Sequence, residues 1–149
     1  MDNINIVSYN GLRKGGLISK KRTVDTAKQY VGKLSIRTTD VFKLVGQLSG
    51  GNQQKCILSR WLRMNPQILI LDEPTHGIDI GAKNDIYKII RELADQGITV
   101  LLISSEMPEL IRLSDRIVVM CEGKQTAILE KDQISEDTIM HYAMSRSAN

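Results

Sequence analysis

Apolar residues along this chain recur with two different periods, and the alternation between them predicts an order of helices and strands. Val24, Ala27, Val31 and Leu34 return at helical spacing and predict a helix over 23–34, weakened at Gly32. Residues 33–47 carry no strong period and read as a connection. A second helix is predicted over 53–64 and stops at Asn65, because Pro66 disfavours helical geometry in the residue before it. Ile68, Leu69, Ile70 and Leu71 then form an unbroken apolar run, the mark of a strand buried in a parallel sheet. After Asp79 comes a helix with Ile86, Ile89, Ile90, Leu93 and Ala94 on one face, stopped by Gly97 and followed by a strand over 98–103. Pro108 suits the first turn of a short helix with Leu110, Ile111 and Leu113 inward. Residues 117–121 and 125–129 read as a hairpin around Glu122, Gly123 and Lys124. Ser135 can cap a last helix carrying Ile139, Met140, Ala143 and Met144. Strand, helix, strand, helix, strand is a doubly wound α/β order with a helical piece in front of it. The boundary falls near 41–48, so residues 1–47 read as a partial helical subdomain with its connection and 48–149 as the sheet-containing part.

Two motifs sit on this frame. Residues 48–55 read L-S-G-G-N-Q-Q-K. Two glycines behind a serine make a loop whose backbone can approach a ligand with no Cβ in the way. The helix that follows turns unpaired N–H groups and the positive end of its dipole toward Ser49, Gly50 and Gly51, which describes an anion site, phosphate foremost. The second motif, residues 68–79, reads I-L-I-L-D-E-P-T-H-G-I-D. Its strand delivers two carboxylates at the C-terminal end, where open α/β sheets place their ligands. Neighbouring side chains on a strand alternate in direction, so Asp72 and Glu73 cannot do the same job. One would hold Mg²⁺ and the other would orient an attacking water.

Together these residues resemble the ATP-binding cassette ATPases. Residues 48–53 match the signature of that family, 68–73 its Walker B strand and Asp79 its D-loop aspartate; the resemblance covers nearly the whole chain. N-Q-Q-K after the glycines and I-S-S-E-M-P-E-L at 103–110 are similar to one branch, the bacterial sugar importers whose ATPase subunit fuses two cassettes, and within it to the second cassette from its helical subdomain onward. The implied fold is a P-loop NTPase core with part of the helical subdomain. The resemblance implies that Ser49, Gly50, Gly51, Asn52, Gln53 and Asp79 contact nucleotide, that Asp72 serves Mg²⁺ and that Glu73 is catalytic. Two cassettes would pair head to tail, so this signature would grip ATP held by the first cassette of the same subunit or by a second copy. The helical subdomain would dock on the membrane permease, at the inner face of the cell membrane and on its cytoplasmic side. Where family members carry a γ-phosphate histidine, this chain aligns Ser105, whose hydroxyl can hydrogen-bond phosphate but cannot carry an imidazole's charge or proton.

Further features bound this picture. No G-x-x-x-x-G-K-[ST] loop occurs in the sequence, and the glycines and lysines of residues 11–21 have the wrong spacing for one. The first part of a cassette is therefore expected to be missing, and turnover by the chain alone is in doubt although the parent protein would be an ATP hydrolase. The missing phosphate-loop strand would lie between strands 98–103 and 117–121, so self-association through the opened sheet is expected. A 42% hydrophobic content over 149 residues suits one compact domain or a large piece of one. The net charge of +3 is spread along the chain, and the basic group Arg13, Lys14, Lys20, Lys21 and Arg22 has no interleaved aromatics, so it reads as solvated surface and no nucleic-acid partner is expected. No apolar run approaches a membrane span, and the start lacks a secretory signal pattern. Cys56 and Cys121, and likewise His76 and His141, lack metal-ligand spacing. Two other readings share the motifs: a soluble cassette ATPase of DNA repair or translation, and a folded interaction module that has lost turnover.

Overall fold

The computed structural model of the chain describes residues 2–7, 13–14 and 17–145. In order these form α1 (Asp2–Asn5), β1 (Arg13–Lys14), β2 (Leu17–Ile18), α2 (Lys20–Lys33), a 3₁₀ turn (Val45–Gln47), α3 (Gly50–Leu62), β3 (Ile68–Asp72), α4 (Ile80–Asp95), β4 (Thr99–Ile103), α5 (Met107–Leu113), β5 (Arg116–Cys121), β6 (Lys124–Glu130), a second 3₁₀ turn (Lys131–Gln133) and α6 (Glu136–Met144). The residues fall into two compact units, 1–69 with 74–101, and 70–73 with 102–149.

In the first unit α3 packs on α1, α2 and α4. α2 begins at Ser19, whose side chain accepts from Arg22 N–H while the Thr23 hydroxyl donates to the Ser19 carbonyl. It buries Thr23 and Ala27, and its C-terminal extension buries Leu34 and Ile36. α1 is too short to be stable alone. It is tied down by polar bonds: the Asn5 amide donates to the Thr23 carbonyl, and Arg60 and Arg63 of the α3 region bond Asn3 and Asn5. α3 contributes Cys56, Leu58 and Leu62 to the core, and α4 contributes the face Ile86, Ile89, Ile90 and Leu93 expected from its periodicity. Burial pushes the Cys56 thiol up from its ordinary range. β1 and β2 pair antiparallel within the basic stretch read as a loop; Gly11, Gly15 and Gly16 of that stretch lie outside the described residues.

Three boundaries differ from the sequence expectation for physical reasons. α2 starts at Lys20, before Thr23, because Ser19 supplies a cap. α3 starts at Gly50, so both glycines belong to its first turn and not to a loop in front of it. The same helix ends at Leu62, after which Met64 and Asn65 N–H groups bond three residues back and Asn65 turns left-handed at φ 46°.

β3 and β4 form a two-stranded sheet. In the first unit the Thr99 N–H bonds the Gln67 carbonyl, and in the second the Glu73 N–H bonds the Ile103 carbonyl, both at 2.9 Å. The strands therefore run parallel.

The second unit is built on the β5–β6 hairpin, in antiparallel register from Arg116 with Glu130 to Cys121 with Lys124. Glu122 and Gly123 both take positive φ, 48° and 78°, as a tight two-residue hairpin turn requires. The register shifts between Val119 and Met120, leaving Thr126 extra, and its hydroxyl bonds the Val119 carbonyl. One face, Ile117, Val119 and Leu129, packs with Ile139 of α6 and with Leu110 and Ile111 of α5. On the other, Val118 and its cross-strand neighbour Ile128 are exposed, with Met120 beside them. Ser135 caps α6, accepting from Thr138 N–H.

Candidate functional site

The sequence motifs separate into two clusters, one in each unit. In the first unit Ser49 stands at the N-cap of α3 with extended backbone, and the first intrahelical bond runs from Gln53 N–H to the Ser49 carbonyl at 2.9 Å. The N–H groups of Gly50, Gly51 and Asn52 therefore precede the helical ladder and share its positive end. Ser49 does not cap the backbone with its hydroxyl. Its Oγ instead accepts from Asn52 Nδ2 at 2.8 Å, which leaves its own O–H available to donate. Asn52 Oδ1 accepts from Arg37 N–H at 2.8 Å, and Gln53 Nε2 donates to the Leu48 carbonyl at 2.9 Å. Both amide side chains thus brace the turn.

Asp79 lies close to this turn through its neighbours. A Cβ placed on Gly50 would come 3.1 Å from Ile78 Cγ2, and one on Gly51 would come 2.4 Å from Ala82 Cβ. The Asp79 carboxylate accepts from Ala82 N–H at 2.9 Å and caps α4. An aspartate directly before an amphipathic run is itself a cap signal, beside the nucleotide contact that the resemblance implies for it. One residue went unremarked as a contributor: Lys55, buried on α3, whose Nζ reaches Asp85 Oδ2 of α4 at 2.8 Å and the Ser35 carbonyl at 3.4 Å. That hydrogen bond holds the Asp85 carboxyl below its usual range.

In the second unit β3 ends at Asp72, which is exposed. Glu73 has left the strand in the left-handed region, φ 45°. The alternation expected to separate the two acids does not apply, because only Asp72 is on the strand; the turn of the chain separates them instead. Left-handed backbone costs a residue with a side chain about 1–2 kcal/mol, offset here by two bonds: Glu73 N–H to the Ile103 carbonyl, and Glu73 Oε1 accepting from Ser105 N–H at 2.8 Å. Glu73 and Ser105 are thus brought together, through the serine's amide and not its hydroxyl. The Ser104 hydroxyl accepts from Glu106 N–H and shapes the same turn.

Among the described residues no three His, Cys, Asp or Glu side chains converge as a metal cage. Asp72 still fits Mg²⁺, which is commonly held by one or two carboxylates with water and substrate phosphates. The first turn of α3 fits a phosphate.

Comparison with known proteins gives the class of the fold. The pattern of the ABC transporter family matches residues 2–76, half of the chain, and the chain belongs to that family. It is similar to the ribose import ATP-binding protein of Shouchella clausii, 45% identical over 142 residues that make up 95% of this chain and 28% of that protein. It is also similar to the ribose import ATP-binding protein 2 of Mesorhizobium japonicum, at 50% over 90% of this chain and 26% of that one. The galactose/methyl galactoside import ATP-binding protein of Clostridium tetani is 49% identical over 85% of this chain and 25% of its own length. The chain thus spans about a quarter of the length of these relatives. Among solved structures, the ATP-binding cassette MJ1267 superposes with a TM-score of 0.76 at 25% identity, covering 97% of this chain and 62% of that one.

Proposed function

We propose that the chain is part of the ATPase of a bacterial sugar importer and that its α3 turn closes on ATP held by another cassette. The observation that carries this reading is the start of α3, where three backbone amides precede the helical ladder beside a serine hydroxyl braced by Asn52. Similarity to ribose and galactoside import proteins supports the sugar class. Ser49, Gly50 and Gly51 contact the γ-phosphate, with Asn52 and Gln53 holding the turn in shape and Asp79 at its side. Asp72 and Glu73 belong to a different ATP site. When bound there, Mg²⁺ would neutralise phosphate charge, with Asp72 among its ligands. Glu73 orients water, and Ser105 fixes the Glu73 carboxylate by its amide.

Residues 1–47 supply part of the helical subdomain facing the permease, and 48–149 supply the signature helix and part of the ATPase core. The protein works at the inner face of the membrane; no described helix is long and apolar enough to cross it. The exposed Val118, Met120 and Ile128 support self-association of the chain through its sheets, which light scattering on the purified chain tests: a strict monomer at high concentration counts against it.

The main experiment places this sequence in a complete ribose-type import subunit and follows phosphate release. Ser49→Arg puts a bulky side chain over the amides and is expected to lower turnover by roughly 10²-fold, the scale of losing preorganised donors. Glu73→Gln is expected to cost much less, because Ser105 cannot supply an imidazole to that site. Equal losses would overturn the assignment of the two clusters to different ATP sites.

A further inference from the structure

Glycine is among the poorest helix formers, and α3 opens on two of them. At an anion site the ready explanation is approach of the ligand to bare backbone. It suits Gly50, which is exposed, better than Gly51, which is buried. The 2.4 Å between a Cβ on Gly51 and the Ala82 Cβ is far inside carbon–carbon contact, about 3.5–4.0 Å. Gly32, also helical, would meet nothing within 4 Å. The side of Gly51 that lacks a side chain is therefore filled by the first turn of α4, the turn that Asp79 caps. One turn further along, Lys55 ties the same two helices through Asp85.

We infer that Gly51 and Ala82 are a positioning pair: their contact seats the first turn of α3 directly on the first turn of α4, so that the signature amides and Asp79 keep one fixed spacing and move together. The functional consequence rests on the proposed role of the α3 turn; the contact itself does not.

A double-mutant cycle tests it. In this chain, thermal unfolding is followed for the native sequence, Gly51→Ala, Ala82→Gly and the double variant. Helix propensity alone predicts that Gly51→Ala raises the midpoint. The contact predicts a fall of roughly 3–10 °C, and the same substitution made in the Ala82→Gly background is expected to be neutral or to raise the midpoint. A single variant that fails to fold beside a double variant that folds is the same rescue; two that fail alike overturn the inference, as does an equal effect of Gly51→Ala in both backgrounds. In the complete import subunit, Gly51→Ala is expected to lower phosphate release about tenfold and Ala82→Gly to restore most of it. Loss without restoration means that Gly51 serves ligand approach only, and it overturns the positioning role. If Ser49→Arg leaves turnover intact while the unfolding cycle still shows rescue, the proposed function fails and the contact stands.

Discussion

In the function proposed above, the turn that opens α3 and the strand end at Asp72 and Glu73 are opposite solutions to handling a nucleotide. The first offers backbone amides, fixed by a helix whose inner face is packed on three others and whose start rests on α4. Its charge is a dipole that does not titrate. The second offers carboxylates at a strand end, with Glu73 held in strained backbone by one bond to an amide and one to a carbonyl. A site made of amides is as stable as the packing behind it, whereas a site made of carboxylates depends on a few local bonds and on protonation. Disturbing the core should therefore damage the first cluster most, and disturbing a single bond should damage the second.

The largest effect is expected from the core of the first unit. Ile86 is fully buried on α4. Ile86→Ala removes buried carbon and leaves a cavity, at a cost of about 2–5 kcal/mol. Urea unfolding followed by far-UV circular dichroism measures it. A loss below about 1 kcal/mol would mean that α4 is not the support described, and the contrast between the clusters would break.

A smaller, local effect separates the second cluster. Glu73→Gln keeps a neutral acceptor for Ser105 N–H and is expected to cost about 0.5–1.5 kcal/mol. Glu73→Ala removes the acceptor, so hydrogen exchange at the Ser105 amide should accelerate while amides in α3 stay protected. Acceleration spread over both units would show that the carboxylate is part of a wider network and that the second cluster does not rest on local bonds.

The same contrast explains what the sequence could and could not display. Helices α2, α3 and α4 were legible because burial imposes period on side chains, as at Ile86, Ile89, Ile90 and Leu93; β3 was legible as an apolar run, but its burial on both faces was not borne out, since Ile68 and Ile70 are exposed. The start of α3 was legible in part, because serine followed by two glycines marks a helix N-terminus, which the fold places at Ser49. What stayed hidden depends on residues far apart in the chain. Gly51 entered the helix against its propensity because Ala82, distant in sequence, fills its empty side. Glu73 left the strand because Ile103 and Ser105 bond it after the turn. The Lys55–Asp85 pair joins positions with no shared local motif. Local propensity carries no information about such partners until the fold brings them together.

The smallest expected effect sharpens the comparison by asking whether the first cluster is in truth insensitive to protonation. An ionic support of this cluster is Lys55 with Asp85, where the lysine is buried and the carboxylate half exposed. The hydrogen bond from Lys55 lowers the Asp85 pKa first; partial burial opposes it, and the charges of Lys55, Arg37 and Lys88 add to the lowering. A carboxyl whose folded pKa lies below its unfolded value of about 3.9 stabilises the fold above that pH and loses the contribution as pH falls through the folded value. Solvent screening keeps pairs of this kind within about 0.2–1 kcal/mol. The gap in unfolding free energy between the native chain and Asp85→Asn should therefore be constant from about pH 5 to 8 and close below about pH 4. Lys55→Met should remove most of that closure, because the hydrogen bond that lowers the carboxyl most is gone and only the charges of Arg37 and Lys88 still lower it. A gap that widens on acidification would mean that the pair does not stabilise the fold, and the α3–α4 support would then rest on packing, at Gly51 with Ala82 and in the core around Ile86.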